Sequence, residues 1–161
     1  MATRLILTPL AGEFPASNFP QLTLSNRRPV LAFDATTSET VYWTAVIPQG
    51  WTGTVTAVIS YAMASATTGG VAFDVAVEAL TSGDATDTDA TTSFDTVNGG
   101  NDSAVPGTAG YMEQLSITLS NLDSAAAGDL VRVSLARDVA DAADTATGDC
   151  YVFAVEIRDA A

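Results

Sequence analysis

The sequence predicts an all-β protein: a single eight-stranded antiparallel, jelly-roll-like β-sandwich preceded by an extended N-terminal arm. Three observations predict it. Apolar and polar residues alternate with period two through most of the chain, the signature of strands with one buried and one solvated face. Turn chemistry rich in Pro, Gly and Asn separates the alternating runs. No segment sustains a 3.6-residue apolar period, so helix should be scarce. The chain has 161 residues, the length of one domain. A domain this long buries roughly 68–70% of its unfolded surface, enough for a core without disulfides or metal. We divide it into an arm, residues 1–28, and a sandwich, residues 29–161.

Pro9, Pro15 and Pro20 interrupt the arm, while Leu5, Ile6, Leu7, Phe14, Phe19 and Leu22 punctuate it with apolar anchors. A Pro-interrupted segment is no central strand. It is either an arm that docks on its own body or a neighbour, or an edge strand of the same domain. The first two sandwich strands are expected at Pro29–Asp34 and Glu39–Pro48. The turn "PQGWTG" leads into a third, with Val55, Ala57, Ile59, Tyr61 and Met63 on one face. After "TTGG", Val71, Phe73, Val75 and Val77 share a face opposite Asp74 and Glu78. A short strand is expected over Ser93–Val97, followed by turns at "NGGND" and "PGTAG". Leu115, Ile117 and Leu119, then Val131, Val133 and Leu135, then Tyr151, Phe153, Val155 and Ile157 mark the last three strands. Between the first two of these, "NLDSAAAGD" reads as a helical turn or a loop. Alternating long and short connections favour a jelly roll, and the Cys…Trp…Cys spacing of an immunoglobulin sandwich is absent. Apolar positions such as Val46, Val58 and Ala76 are expected on outer faces.

Composition excludes several functions. Asp and Glu number 19 against six Arg and no Lys, for a net charge of −13. Nucleic acid and anionic membrane call for a basic footprint that this chain lacks, so neither is expected as a partner. Without His there is no Ser-His-Asp relay and no imidazole ligand. Without Lys there is no P-loop lysine and no Schiff base. Cys150 is the only cysteine, so no intrachain disulfide or thiolate zinc site can form. Arg4 and a short apolar run give the N-terminus the outline of a signal peptide, but Pro9 interrupts it and no small-x-small cleavage site follows. No enzyme activity, cofactor or metal is expected.

Four carboxylates lie in "DATDTDATTSFD", Asp84–Asp95, and four more in "DVADAADTATGD", Asp138–Asp149, starting at Asp138. From Asp87 the EF-hand pattern fails: Thr91 replaces its fifth-position ligand, Thr92 its Gly, and Asn98 its bidentate Glu. Both stretches read as acidic connections in which Asp and Thr bond to nearby backbone, and the first should meet an Arg if it is not far from an assembly contact. Trp43 and Trp51 flank the turn "IPQG". They are either candidates for stacking on sugar rings or, respectively, a strand residue and a turn plug. Asn101-Asp-Ser103 matches the N-glycosylation pattern. Arg27-Arg28 marks the junction of arm and body, as a solvated pair or as partners for acids of a neighbouring copy.

The stretches "ASNFPQLTL…RPVLAFDATTSETVYWTAVIPQGWTG" and "DTATGDCYVFAVEIRDA" resemble small all-β proteins encoded among the virion genes of tailed bacteriophages. The resemblance implies a capsid decoration protein: a jelly roll that trimerises on the outer surface of the head and cements neighbouring copies of the major capsid protein. Its expected partners are itself and that capsid protein. Leu5, Leu7, Phe14, Phe19, Arg27 and Arg28 are the candidate interaction residues, since an extended arm can add a strand to a neighbour or lie in its groove. The rival is a carbohydrate-binding or receptor-binding sandwich of a fibre or tail component, with Trp43 and Trp51 as its stacking residues.

Overall fold

The computed structural model describes residues 2–51, 53–89 and 92–160, so Met1, Thr52, Ala161 and the pair Ala90 and Thr91 of the first acidic stretch lie outside it. Ten strands are formed: β1 (Thr3–Leu7), β2 (Gln21–Ser25), β3 (Arg28–Phe33), β4 (Thr40–Val46), β5 (Val55–Met63), β6 (Val71–Leu80), β7 (Asn98–Asp102), β8 (Glu113–Leu119), β9 (Leu130–Arg137) and β10 (Cys150–Asp159). A 3-10 turn at Pro9–Ala11 is the one helical element among the described residues. All pairings are antiparallel. One sheet runs β2-β3-β10-β5-β8, with β1 also on β10, and the other runs β4-β9-β6-β7. From β3 onward the chain switches sheets at every connection except the one between β6 and β7, giving the interleaved order of a jelly roll.

The period-two faces meet between the sheets. Leu31 and Phe33 of β3, Ile59 and Tyr61 of β5 and Val155 and Ile157 of β10 face Val41 and Trp43 of β4, Phe73, Val75 and Val77 of β6 and Leu135 of β9 in one core. Phe33 and Phe73 join the two sheets edge to face, with ring centroids 5.4 Å apart at 89°, a preferred aromatic geometry.

The strand count exceeds the expected eight because residues 1–28 supply two strands of their own. β1 pairs with the second half of β10, Leu5 opposite Ile157 and Leu7 opposite Val155. β3 pairs with the first half, Cys150 to Val152. The two partners share one edge of β10 end to end. Where they meet, the β10–β5 register shifts between Val152 and Ala154, leaving Phe153 as the extra residue of a bulge. β2 folds back on β3 as a hairpin whose two turn residues, Asn26 and Arg27, have φ of 46° and 69°, the left-handed pair of a tight hairpin turn. The described part of the segment pairs with the chain's own sandwich, through β1 on β10 and β2 on β3.

Three other expectations are corrected. Ser93–Val97 is not a strand. Its backbone is held from the side, with Ser93 N donating to a Glu78 carboxylate oxygen at 2.6 Å and Asp95 N to Val77 O at 2.9 Å. "NGGND", read as a turn, is β7. A Cβ on Gly100 would stand 2.6 Å from Ile117 Cγ1 of the opposite sheet, so this glycine provides space rather than a bend. Val58 and Ala76 are buried, and only Val46 of the three expected outer-face residues is exposed. "NLDSAAAGD" is a loop, turning at Asp123 and Ser124 with φ of 51° and 57°.

Candidate interaction surface

The two acidic stretches turn out to be structural. In the second, Arg137 at the end of β9 points inward, and its guanidinium organises the loop that follows. Nε and Nη2 donate to the two Asp144 carboxylate oxygens at 2.9 and 2.8 Å. The remaining donors reach Gly148 O at 2.9 Å and Ala146 O at 3.0 Å, with longer contacts to Phe33 O and Asp34 O. Asp144 also accepts from Ala72 N at 3.1 Å, which ties the loop to β6. Asp138 and Asp141 bond the amides of Ala140 and Ala143, two residues on, which is ordinary Asx-turn chemistry.

The described parts of the first stretch lie against the outer face of β6 and β9, with Thr86 and Thr88 beside Glu78 and Arg132 and Ser93 bonded to Glu78. Asp84 accepts from Thr81 N at 2.9 Å and Asp87 from Asp89 N at 3.0 Å. Asp95 accepts from Asp123 N at 2.9 Å and Thr96 N at 2.7 Å, and these amides, Asp123 first, hold its carboxyl below the ordinary value. Phe94 stacks on Tyr42 with centroids 5.6 Å apart. The Arg132 guanidinium lies over both rings, 5.2 and 5.4 Å from their centroids, and ion-pairs with the buried Glu78 at 3.3 Å. Phe94 thus packs under an arginine of its own chain. Among the described residues, no group of three His, Cys, Asp or Glu side chains could hold a metal ion.

Trp43 is withdrawn from the surface. It is 2% exposed, and its indole N–H donates to Thr8 O at 2.9 Å. It cannot stack on a sugar ring. Trp51 is half-buried against the core. Leu5 and Leu7 are likewise corrected as interaction residues: in the β1–β10 register both face the core, Leu7 buried and Leu5 packed against it. Alternation forces this, because a segment that pairs as a strand turns every second side chain inward.

Four candidates remain outside. Phe14 and Phe19 are exposed and in contact, ring centroids 5.7 Å apart. Arg27 and Arg28 are exposed at the tip and exit of the β2–β3 hairpin. Arg4, Arg132, Arg137 and Arg158 are ion-paired with Asp159, Glu78, Asp144 and Glu156. Among the described residues, Arg27 and Arg28 have no carboxylate partner. Sequence reasoning passed over Leu10 and Leu24 and did not single out Ile6 or Leu22 as contacts, yet these are exposed by 71, 66, 67 and 47%. The signal was present: Leu22 and Leu24 alternate with polar residues, and their strand lies at the edge of its sheet with its apolar side chains exposed.

Beside the hairpin is a groove of about 370 Å³. It is lined by Ser25, Asn26 and Arg28 of the hairpin together with Gly110, Met112 and Phe153. Phe153 points outward by alternation with the core residue Val152, and the bulge then reverses the phase so that Val155 and Ile157 enter the core. Phe153 lies between Val152 and Val155, both of which enter the core, and is itself outside it.

No known family model matches the chain, and no curated protein matches it either. Among solved structures, the chain is similar to the CBM35 from Cellvibrio japonicus Abf62, with 13% identity and a TM-score of 0.47 over 98% of this chain and 94% of that one.

Proposed function

We propose that the protein is a non-catalytic assembly protein, specifically a virion structural protein that decorates the outer surface of a phage head as a homotrimer bound to the major capsid protein. One observation carries the assembly reading. Of 11 large hydrophobic residues exposed among the described residues, six (Ile6, Leu10, Phe14, Phe19, Leu22 and Leu24) fall within residues 1–28. Scattered exposed apolar residues need no explanation, whereas their concentration in one segment supports the reading that this segment makes contacts. The head and the trimer come from the sequence resemblance. The body suits the role: Arg137 and its neighbours brace the loops, and the acidic charge opposes unselective sticking.

Deleting residues 1–28 would remove two strands of the sandwich, so the test uses substitutions on an exposed edge. Leu22→Asp/Leu24→Asp should stay folded by circular dichroism, become monomeric in light scattering, and no longer bind heads assembled without this protein. A folded double variant that oligomerises and binds such heads like wild type overturns the reading. The carbohydrate-binding alternative keeps only Trp51 of its two stacking residues. Glycan binding by wild type that is lost in Trp51→Ala, together with normal behaviour of the Leu22/Leu24 variant, would favour it.

A further inference from the structure

We infer that the Arg27-Arg28 hairpin tip and the groove beside it receive the acidic loop 81–89 of a second copy of this chain. The inference rests on the assembly reading and specifies which surfaces meet.

On a chain of net charge −13, four of six arginines are used internally, and the two without a carboxylate are adjacent in sequence. Arg27 sits in the left-handed hairpin turn, and Arg28, the first residue of β3, lines the groove. The natural complement is a carboxylate cluster in excess of the protein's own cations. Loop 81–89 supplies one: every residue but Thr86 is exposed, and Asp84 and Asp89 lie in it. The other acidic stretch suits the role less, because its Asp144 is buried on Arg137.

Geometry requires the two surfaces to meet between copies. The groove lies on the outer face of the larger sheet, where Phe153 points away from the core. Loop 81–89 covers the outer face of the smaller sheet, where Thr86 and Thr88 lie beside Glu78 and Arg132. Outer faces of opposite sheets cannot touch within one sandwich. A contact between two different patches is heterologous, the kind that builds rings or chains rather than a two-fold dimer.

Exposed ion pairs weaken with salt over a Debye length of about 8–10 Å, so self-association of the full chain is measured by sedimentation velocity at low and high salt. Arg27→Glu/Arg28→Glu should weaken it at low salt by about tenfold or more, and Asp84→Arg/Asp89→Arg should do the same. Combining all four substitutions in one chain should restore it, since the charges are exchanged and the contact is not. Self-association that ignores both pairs, or a combined variant no better than the single pairs, overturns the inference. If association also survives added salt but is lost in Leu22→Asp/Leu24→Asp, the assembly reading stands and this one falls. A chain monomeric in every condition sinks both. Loss of head binding in Arg27→Glu/Arg28→Glu with self-association intact would give the tip a different occupant and likewise overturns it.

Discussion

Arg137 and Asp144 form a two-pronged ion pair, at 2.9 and 2.8 Å, with both side chains almost wholly removed from solvent. The guanidinium plane matches the carboxylate, and its other donors are met by backbone oxygens of the same loop. Removing one partner of a buried pair strands the other, at about 3–5 kcal/mol. Arg137→Ala should lower unfolding free energy by about that amount in urea titration. Arg137→Lys should recover little of it, because an ammonium cannot reproduce the planar fork.

Asn98 opens β7 and ties it to the loop after β8. Its Oδ1 accepts from Ser120 N and Asn121 N at 2.9 and 3.0 Å, while Nδ2 donates to Val75 O and Asn121 O at 3.2 and 3.0 Å. Asn98→Asp keeps the acceptor but turns an oxygen toward two carbonyls. It should destabilise by about 1–3 kcal/mol or more, and thermal melts should rank it below Asn98→Ser.

The Cys150 thiol is completely buried at the start of β10, and desolvation pushes its pKa up strongly. A thiol reacts as its thiolate. A chromogenic disulfide reagent should leave the native protein untouched and react stoichiometrically in denaturant. Fast labelling of native protein would contradict the packing of β10 against β3 and β5.

Acid should destabilise the fold through a few identified carboxylates. The Thr36 hydroxyl and amide hold Asp34 below the ordinary value of 3.8, and Arg4 does the same for Asp159. A depressed carboxylate contributes stability above its unfolded pKa and loses it as pH falls through its folded pKa. The melting temperature should therefore drop as pH is taken below about 3.8, and less steeply in Asp34→Asn.

Asp74 has the opposite sign. Burial raises its pKa, with Asp138 and Asp141 adding repulsion. Ionising it is harder in the folded state, so its penalty is present at neutral pH and disappears once both states are protonated. Asp74→Asn should raise the melting temperature at neutral pH, and the gain should vanish below the ordinary value of 3.8. A gain independent of pH would point to another cause.

Much of the fold was legible because alternation is a local signal. Val71, Phe73, Val75 and Val77 declare a half-buried strand without any partner in view, and β6 contains all four. The errors fell where a residue type serves two purposes. Gly99 and Gly100 resemble a turn in sequence, yet Gly100 makes room for Ile117 inside a strand pair. Leu5 and Leu7 resemble adhesive anchors, yet pairing with β10 turns them inward. Arg137 looks like any other strand arginine until the loop around it closes.

The sequence alone determined the period-two strands, the scarcity of helix, the acidic surface and the absence of imidazole and amine chemistry, because composition and alternation need no knowledge of neighbours. Only the tertiary structure decided which arginines remain unpaired, which of Trp43, Leu5 and Leu7 leave the surface, and that Phe153 lines a groove. Those outcomes depend on strand register and on which edge each strand joins, and these are fixed by contacts between residues far apart in the chain.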